Sequence, residues 1–303
     1  MLLVDLARVK TLTQALSAFQ VVGMAAKDFS QRTRIEYTHD VTELITFLSK
    51  HGITTLEAVT LPHLEAYQAE LDRRGLAVSS RRRKTFVIKT FFAFLERFGM
   101  VSKNVAVRLI PPPPQPREPR FLSEEEYQRL LRTCSHNTRD VAMIELFLQT
   151  GMRLSELARL TLSDIELPKR ITRDPDNMGS AQVRRKGGKI QMIYLNYKAC
   201  QALASYLKVR PHVDHNALFV TKFRTPMSGR AIQNAVTKYL KEADIVGASV
   251  HTLRHTMATH HAAKGTDLKV LQETLGHASL STTSLYVSLA KKAQRQALQE
   301  HAL

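Results

Sequence analysis

The chain has 303 residues, of which 44% are hydrophobic, and this is enough for one large domain or two ordinary ones. Lysine and arginine number 44 against 27 acidic residues, which gives a net charge of +17. Solubility needs far less charge, so the excess favours a polyanionic partner, because each phosphate that a cation neutralises releases condensed counterions. Nucleic acid fits best, although a ribosomal or membrane-surface protein would carry the same excess.

The sequence also argues against secreted, membrane and nucleotide-dependent proteins. Its two cysteines, Cys134 and Cys200, cannot form a disulfide framework and match no metal-ligand spacing. The apolar residues before Asp5 are too few for a signal peptide, and no run approaches the roughly 18 apolar residues of a membrane span. No phosphate-binding loop or dinucleotide fingerprint is present, so no cofactor and no metal are expected. We therefore expect a cytoplasmic, nucleoid-associated protein.

The first 110 residues read as helical throughout. Ser30 is placed to cap an amphipathic helix that Gly52 ends. Pro62 to Arg74 forms another helix, and a third begins near Ser79. Residues 1–110 are therefore predicted to form a helical domain.

Four consecutive cations stand in the first turns of this third helix: Arg81, Arg82, Arg83 and Lys84. Cations there oppose the helix dipole, whose positive end favours anions. They could form a solvated face. A patch that contacts DNA phosphates explains them better, because bound anions would offset the repulsion. We therefore predict that these residues bind DNA.

A proline-rich segment, PPPPQPREP, follows from Pro111 to Pro119. Prolines remove backbone donors and favour extended polyproline conformation, so residues 111–120 are predicted to be a semi-rigid linker. A ligand for a proline-binding domain is a weaker reading of the same run. The linker separates residues 1–110 from a second domain, residues 121–303.

The second domain is predicted to be mainly α with a small antiparallel β-sheet. Ser123 and Glu126 form a capping-box pattern, and a helix from Val141 ends near Gly151. Short strands are predicted near Ile165 and over 181–185 and 189–195, with Lys186-Gly187-Gly188-Lys189 as a hairpin turn. Helices resume from Lys198 and continue to the end of the chain.

Three segments concentrate polar residues where a plain helix would not need them: residues 150–157, residues 251–255, and residues 275–277 followed by Tyr286. His251 and Arg254 are three residues apart, so they share a helix face. Thr266 is predicted to cap a short helix that Gly276 ends, which places His277 on a loop. Ser281 can cap the next helix, about one and a half turns before Tyr286.

Each of these residues alone has an ordinary explanation. His251 and His255 have the spacing of a zinc-binding helix, but Thr252 stands where a metalloprotease has glutamate. Tyr286 alone would more often be a half-buried packing residue, and Arg153 alone a surface cation. The functional interpretation depends on their combination, in this order and at these intervals.

The strings TGMRLSEL, HTLRHTMATH and LGHASLSTTSLY resemble the active-site boxes of the tyrosine recombinase (phage integrase) family, especially its Xer-like members. The resemblance covers nearly the whole chain. In the N-terminal part it is carried by Ser30, Thr33, Tyr37 and Asp40 and by helix spacing. It implies a SAM-like core DNA-binding domain and a catalytic domain, which together form the two-domain C-shaped DNA clamp of the family.

The resemblance also implies roles for individual residues. Tyr286 would be the nucleophile, and Arg153 and Arg254 would clamp the scissile phosphate. Lys186 would be the general acid, although Lys189 on the same turn is an alternative.

Four further residues belong to the resemblance. His251 would assist proton transfer, and His277 would hydrogen-bond the phosphate. Glu156 would orient Arg153. His255 fits the string without an assigned chemical role, and we interpret it as structural.

The implied function is site-specific cleavage and rejoining of double-stranded DNA through a 3′-phosphotyrosyl intermediate. The family acts as a tetramer on two paired sites, with the C-terminal helix docked in trans, which implies a homo-tetramer here or an assembly with a second recombinase. The implied role is dimer resolution, transposon or plasmid resolution, or integration, and a simple Xer-like or resolvase-type role is favoured. A type IB topoisomerase and a noncatalytic DNA-binding regulator are the alternatives. The LGH box and the two-domain size favour a recombinase, and the complete set of six candidate residues argues against a regulator.

Overall fold

A computed structural model of the chain describes residues 6–115, 118–185, 188–276 and 285–291. Contacts divide the chain into two compact units, an N-terminal unit, Met1–Arg117, and a C-terminal unit, Glu118–Leu303. The described part of the N-terminal unit is helical, and that of the C-terminal unit combines helices with one three-stranded antiparallel sheet. The prediction of a mainly α protein with a small antiparallel sheet is confirmed. Among the described residues, no helix is long and apolar enough to cross a membrane.

The described residues of the N-terminal unit include five α-helices: α1 Leu12–Ala18, α2 Met24–Ala26, α3 Gln31–Lys50, α4 Leu61–Arg73 and α5 Val78–Arg97. The hydroxyl of Ser30 accepts a hydrogen bond from the Thr33 amide and so starts α3, as its sequence predicts. A π-helical turn, Phe19–Gly23, connects α1 to α2. A Cβ on Gly23 would lie 2.4 Å from the Phe19 ring and 2.8 Å from that of Phe94, so only glycine allows this turn to pack on α5.

A buried ion-pair network joins α3 to α5. The side chain of Asp40 is 1% exposed, and its carboxylate accepts hydrogen bonds from the Arg83 guanidinium and, at 2.7 Å, from Lys84 Nζ. Lys84 Nζ also lies 2.5 Å from Glu43 Oε2. The side chain of Lys84 is only 7% exposed, which corrects its prediction as a phosphate contact. A buried ammonium needs carboxylate partners, and these two carboxylates occupy it.

The other three cations of the predicted patch also have partners within the N-terminal unit. Arg81 pairs with Asp72 at 2.8 Å and donates to the carbonyl of Leu76. Arg82 donates to the carbonyl of Pro112. The side chain of Arg83 remains 44% exposed although it contacts Asp40. The cations therefore tie the start of α5 to its surroundings, and the exposed part of Arg83 still faces solvent.

Replacing Asp40 with asparagine is expected to destabilise the chain, because Lys84 and Arg83 would lose a buried counter-charge. We expect a loss of about 3–5 kcal/mol in the free energy of unfolding, measured by urea denaturation of the full chain. The matched control is Asp72→Asn, since Asp72 also pairs with an arginine but its side chain is 65% exposed. Its loss should stay below about 1 kcal/mol. Equal losses in the two variants would contradict a structural role for the buried network.

Eight helices are described in the C-terminal unit: α6 Glu124–Cys134, α7 Thr138–Thr150, α8 Leu154–Leu157, α9 Tyr197–Val209, α10 Gly229–Glu242, α11 Val250–Ala263, α12 Leu268–Leu275 and α13 over residues 285–291. The predicted capping box of Ser123 and Glu126 starts α6. The predicted cap of α12 is wrong. Asp267, not Thr266, accepts the hydrogen bonds of the first turn, because the Thr266 hydroxyl contacts His261 Nδ1 instead.

Three strands form the sheet in the order β1-β2-β3: β1 Ile165–Glu166, β2 Gly179–Arg184 and β3 Ile190–Leu195. The strands predicted around these positions are confirmed. Side chains along β2 alternate between buried and accessible, with Ala181 and Val183 inside. Ala181 pairs with Ile193 of β3, so the inner face of the hairpin belongs to the core.

The core of the C-terminal unit surrounds α7. This helix is buried along nearly its whole length and packs against α9 and α11. A second, smaller cluster holds α13 against α11 and α12 through Met257, Leu271, Leu275, Tyr286 and Leu289. The two clusters meet where α7 ends, and this arrangement brings the polar segments singled out in the sequence to one region.

Candidate active site

The end of α7 places Arg153 in the site. Gly151 terminates the helix in the left-handed conformation, with φ +62°. A Cβ at Gly151 would lie 2.9 Å from Leu275 Cδ2 and 3.1 Å from Met257 Cε, so a side chain there would have to displace the ends of these two side chains. Glycine thus lets the corner between α7 and α8 approach both helices. Arg153, two residues after Gly151, is the N-cap of α8.

Glu156 holds both the backbone and the side chain of Arg153. One carboxylate oxygen accepts from the Arg153 amide at 2.7 Å, and the other accepts from its guanidinium at 2.8 Å. The Glu156 side chain is only 3% exposed, so these bonds are shielded from water, whereas that of Arg153 is 37% exposed. This geometry suits the orienting role that the family resemblance implies for Glu156.

Arg254 reaches the same place from α11. Its guanidinium is buried, and it donates to the Leu275 carbonyl at 2.6 Å and to the Gly151 carbonyl. Burial, followed by the nearby charge of Arg153, lowers the pKa of Arg254 to about 10. The group stays charged at neutral pH. Two guanidiniums close enough to repel each other form a site in which a bound phosphate would relieve that repulsion.

The C-terminus of α12 is the point where these cations converge. The last carbonyls of a helix have no partner within the helix and carry the negative end of its dipole. Arg153 donates to the Gly276 carbonyl at 3.0 Å, and Arg254 donates to that of Leu275. Gly276, with φ +62°, ends the helix in the left-handed conformation that leaves these oxygens accessible.

Arg185, at the end of β2, is a third guanidinium in this cluster, and the sequence analysis missed it. It donates to the Thr274 carbonyl at 2.7 Å and to the Leu275 carbonyl, and its Nε lies 3.8 Å from Glu156 Oε1. A Cβ on Gly276 would overlap its guanidinium, so the α12 terminus and Arg185 fit only because residue 276 is glycine. The only signal in the sequence was its position next to Lys186.

Tyr286 lies beside His255 in the second cluster. Its ring is 2% exposed, and its hydroxyl is 2.9 Å from His255 Nδ1. Burial raises the pKa of the Tyr286 phenol, while the charge of Arg254 lowers it. Burial, then the charges of His251 and Arg254, lowers the pKa of His255. His255, which the sequence analysis interprets as structural, therefore contacts the candidate nucleophile.

The remaining candidate residues divide into two groups. His251 is exposed on the first turn of α11, one turn before His255. Lys186 and His277 lie outside the described residues. Arg185, which precedes Lys186, donates to the carbonyl of Leu275, two residues before His277. The described chain therefore approaches both positions from the same region.

One group of possible metal ligands occurs among the described residues: His39, Asp40 and Glu43, whose ligand atoms lie within 4.8 Å of one another. This group belongs to the N-terminal unit. The ammonium of Lys84 contacts both of its carboxylates, so a protein cation already supplies the positive charge there.

Taken together, a buried phenol, two adjacent arginines and an orienting glutamate define a site suited to an attack on a phosphodiester. Residues 120–293 match the model of the phage integrase family, and residues 22–99 match that of the phage integrase N-terminal SAM-like domain. The chain therefore belongs to the phage integrase family, and its relatives place it among the Xer-like tyrosine recombinases.

Individual relatives agree with this assignment. Tyrosine recombinase XerC of Lacticaseibacillus casei (strain BL23) is 30% identical over 284 residues, which cover 89% of this chain and 92% of the relative. The XerH site-specific recombinase bound to palindromic difH substrate has a TM-score of 0.71 and 20% identity, covering 93% of this chain and 83% of XerH. A lambda integrase tetramer bound to a Holliday junction has a TM-score of 0.72 and 19% identity, covering 89% of this chain and 78% of the integrase chain. The two structures show the shared fold.

Replacing Arg185 with methionine is expected to loosen the α12 terminus, because methionine keeps the aliphatic stem but removes the donors to two carbonyls. We expect the free energy of unfolding to fall by about 2–3 kcal/mol in a urea titration of the full chain. Arg184→Met is the matched control on the neighbouring, exposed residue of β2. It should change stability by less than about 0.5 kcal/mol. An Arg185 variant as stable as the control would show that the three-arginine cluster does not hold this helix.

Proposed function

We propose that the chain cleaves and rejoins DNA strands at specific sites by forming a covalent bond between Tyr286 and a backbone phosphate. The chain is a tyrosine site-specific recombinase by family. The observation that carries the residue-level proposal is the placement of the Tyr286 hydroxyl next to His255, directly after Arg254 on α11. Arg153 reaches the same region from α8.

The proposed chemistry begins with the phosphate in the arginine site. Negative charge builds on the nonbridging oxygens as the phenol attacks, and a guanidinium offers a planar, permanently charged fork that matches them. Arg153 and Arg254 would stabilise this charge without reorganising, since Glu156 and the helix-end carbonyls already hold them. The two arginines would therefore stabilise the phosphate more strongly in the transition state than in the bound substrate.

Proton transfer would accompany the bond changes. As the Tyr286 oxygen bonds to phosphorus, the bond to the 5′ oxygen breaks, and that oxygen takes a proton from Lys186. His251 would assist proton transfer, and His277 would donate to the phosphate. The 3′-phosphotyrosyl bond keeps the energy of the phosphodiester, so the 5′ hydroxyl of a partner strand can reseal the break without ATP.

Double-stranded DNA is the proposed substrate, consistent with the net charge of +17. The XerH structure contains its difH substrate, which supports the same partner for this chain. We keep Arg81, Arg82 and Arg83 as proposed phosphate contacts. Lys84 is left out, since two carboxylates surround it.

We also propose that the active assembly is a homo-tetramer on two paired sites. The lambda integrase tetramer shares this fold, which supports the same arrangement here. The C-terminal helix would dock in trans onto a neighbouring subunit. The chain beyond residue 291 lies outside the described residues, so this docking comes from the family resemblance.

Tyr286→Phe is expected to abolish covalent capture of DNA, because phenylalanine has no oxygen to attack phosphorus. Wild-type protein is incubated with fragmented genomic DNA of its host, and the protein-linked fragments are sequenced to define the target site. The Tyr286 variant should bind a duplex carrying that site yet form no adduct. Tyr194→Phe is the matched control, since Tyr194 is 69% exposed on β3. Adduct formation by Tyr286→Phe would remove the central proposal.

Lys186→Ala is expected to slow cleavage about 10²–10⁴-fold, because the 5′ oxygen would leave without a proton. A substrate with a 5′-bridging sulfur should restore the rate, since a thiolate leaves without protonation. The measurement is single-turnover adduct formation on both substrates. Lys189→Ala, on the same turn, should cleave both at nearly the wild-type rate. The reverse pattern would move the acid role to Lys189.

A further inference from the structure

The contact between His255 and Tyr286 has no part in the roles proposed so far, which name no acceptor for the Tyr286 proton. A phenol that attacks phosphorus has to lose its proton, and the 2.9 Å separation of Tyr286 Oη and His255 Nδ1 is a hydrogen-bond distance. Both groups are held in place. The Tyr286 ring is enclosed by the side chains of Met257, Leu271 and Leu275, and His255 is half-buried on α11.

The charges around His255 favour its neutral form. His251 and Arg254 act on it from its own helix, and both lower its pKa in addition to burial. Among the described residues of other elements, the titratable group that contacts it is Tyr286 of α13. A neutral imidazole can accept a hydrogen bond at Nδ1 when its own proton is on Nε2, and we assign this tautomer. The phenol then donates and the imidazole accepts.

We propose that His255 is the general base of strand cleavage, which accepts the Tyr286 proton at Nδ1 as the phenolic oxygen attacks the phosphate. The proton moves from Oη to Nδ1, and the O–P bond forms as the bond to the 5′ oxygen breaks. The 5′ oxygen is protonated by the separate acid. In rejoining, the 5′ hydroxyl returns its proton to the separate acid as its oxygen bonds to phosphorus. The bond from phosphorus to Tyr286 breaks, and the phenolic oxygen recovers its proton from His255. This inference rests on the proposed nucleophile.

The position of His255 on α11 suits a base that accepts the Tyr286 proton. His255 directly follows Arg254, so the helix that carries a phosphate-clamping guanidinium also carries the base. Burial raises the pKa of the Tyr286 phenol, and the positive charge of Arg254 offsets only part of that rise, so the phenol needs a neighbouring acceptor for its proton. A newly formed imidazolium would also lie near the negative charge that builds on the phosphate.

The test is the pH dependence of single-turnover cleavage by the full chain. The substrate is a duplex with the mapped target site and a nick that lets the short 5′-hydroxyl fragment diffuse away. His255→Asn is the informative variant, because its amide reaches the position of Nδ1 but cannot take up a proton. His261→Asn is the matched control, since His261 is on the same helix and its Nδ1 contacts a hydroxyl, that of Thr266, at 3.2 Å.

The wild-type rate should rise with pH as His255 loses its proton, below the usual imidazole pKa of about 6.5, and then level off. His261→Asn should match it. His255→Asn should cleave about 10²–10³-fold more slowly at pH 7, and its rate should rise about tenfold per pH unit as the phenol ionises directly. DNA affinity and thermal midpoint are measured for each variant, and His255→Gln replaces His255→Asn if the latter unfolds.

Two results would overturn the proposal. One is a folded His255 variant that cleaves at the wild-type rate. The other is a slow variant whose pH profile runs parallel to that of the wild type, because His255 would then only position Tyr286. Tyr286→Phe separates this outcome from a failure of the proposed function. If Tyr286→Phe forms no adduct while His255→Asn behaves like wild type, only the base assignment fails.

Discussion

The convergence of three guanidiniums on the C-terminus of α12 is the interaction on which the rest of the site depends. Arg153, Arg185 and Arg254 come from separate elements, and each donates to a carbonyl between Thr274 and Gly276. The helix end offers partial negative charge that the cations need, since they are close enough to repel one another. A guanidinium has five donors, so holding a carbonyl leaves further N–H groups that can meet a phosphate.

Glycine at two positions makes this convergence possible. Gly151 lets the end of α7 approach Leu275 and Met257, and Gly276 leaves space for the Arg185 guanidinium. Both have positive φ, so each ends its helix where a residue with a Cβ would be strained and crowded. The backbone thus brings α7, α11 and α12 together before any side chain acts on a substrate.

The nucleophile and the cations are held by different forces. The arginines are fixed by charge-assisted hydrogen bonds, whereas Tyr286 is fixed by burial among apolar side chains and by one hydrogen bond to His255. Burial alone raises the pKa of a phenol and so opposes ionisation. The nearby Arg254 acts in the opposite direction. A buried tyrosine can therefore serve as a nucleophile if a neighbouring base removes its proton during attack.

The sequence by itself determined the fold class, the three strands, most helix starts and the family, because periodicity, caps and turn residues are local and the three motif strings are specific. It also selected Arg153, Arg254 and Tyr286 as the residues to examine. Only the tertiary structure decided that Lys84 is buried between Asp40 and Glu43, that Arg185 joins the cluster, and that His255 contacts Tyr286. These three outcomes depend on pairs separated by 31 to 90 residues in the chain, whose approach is set by helix packing rather than by local pattern.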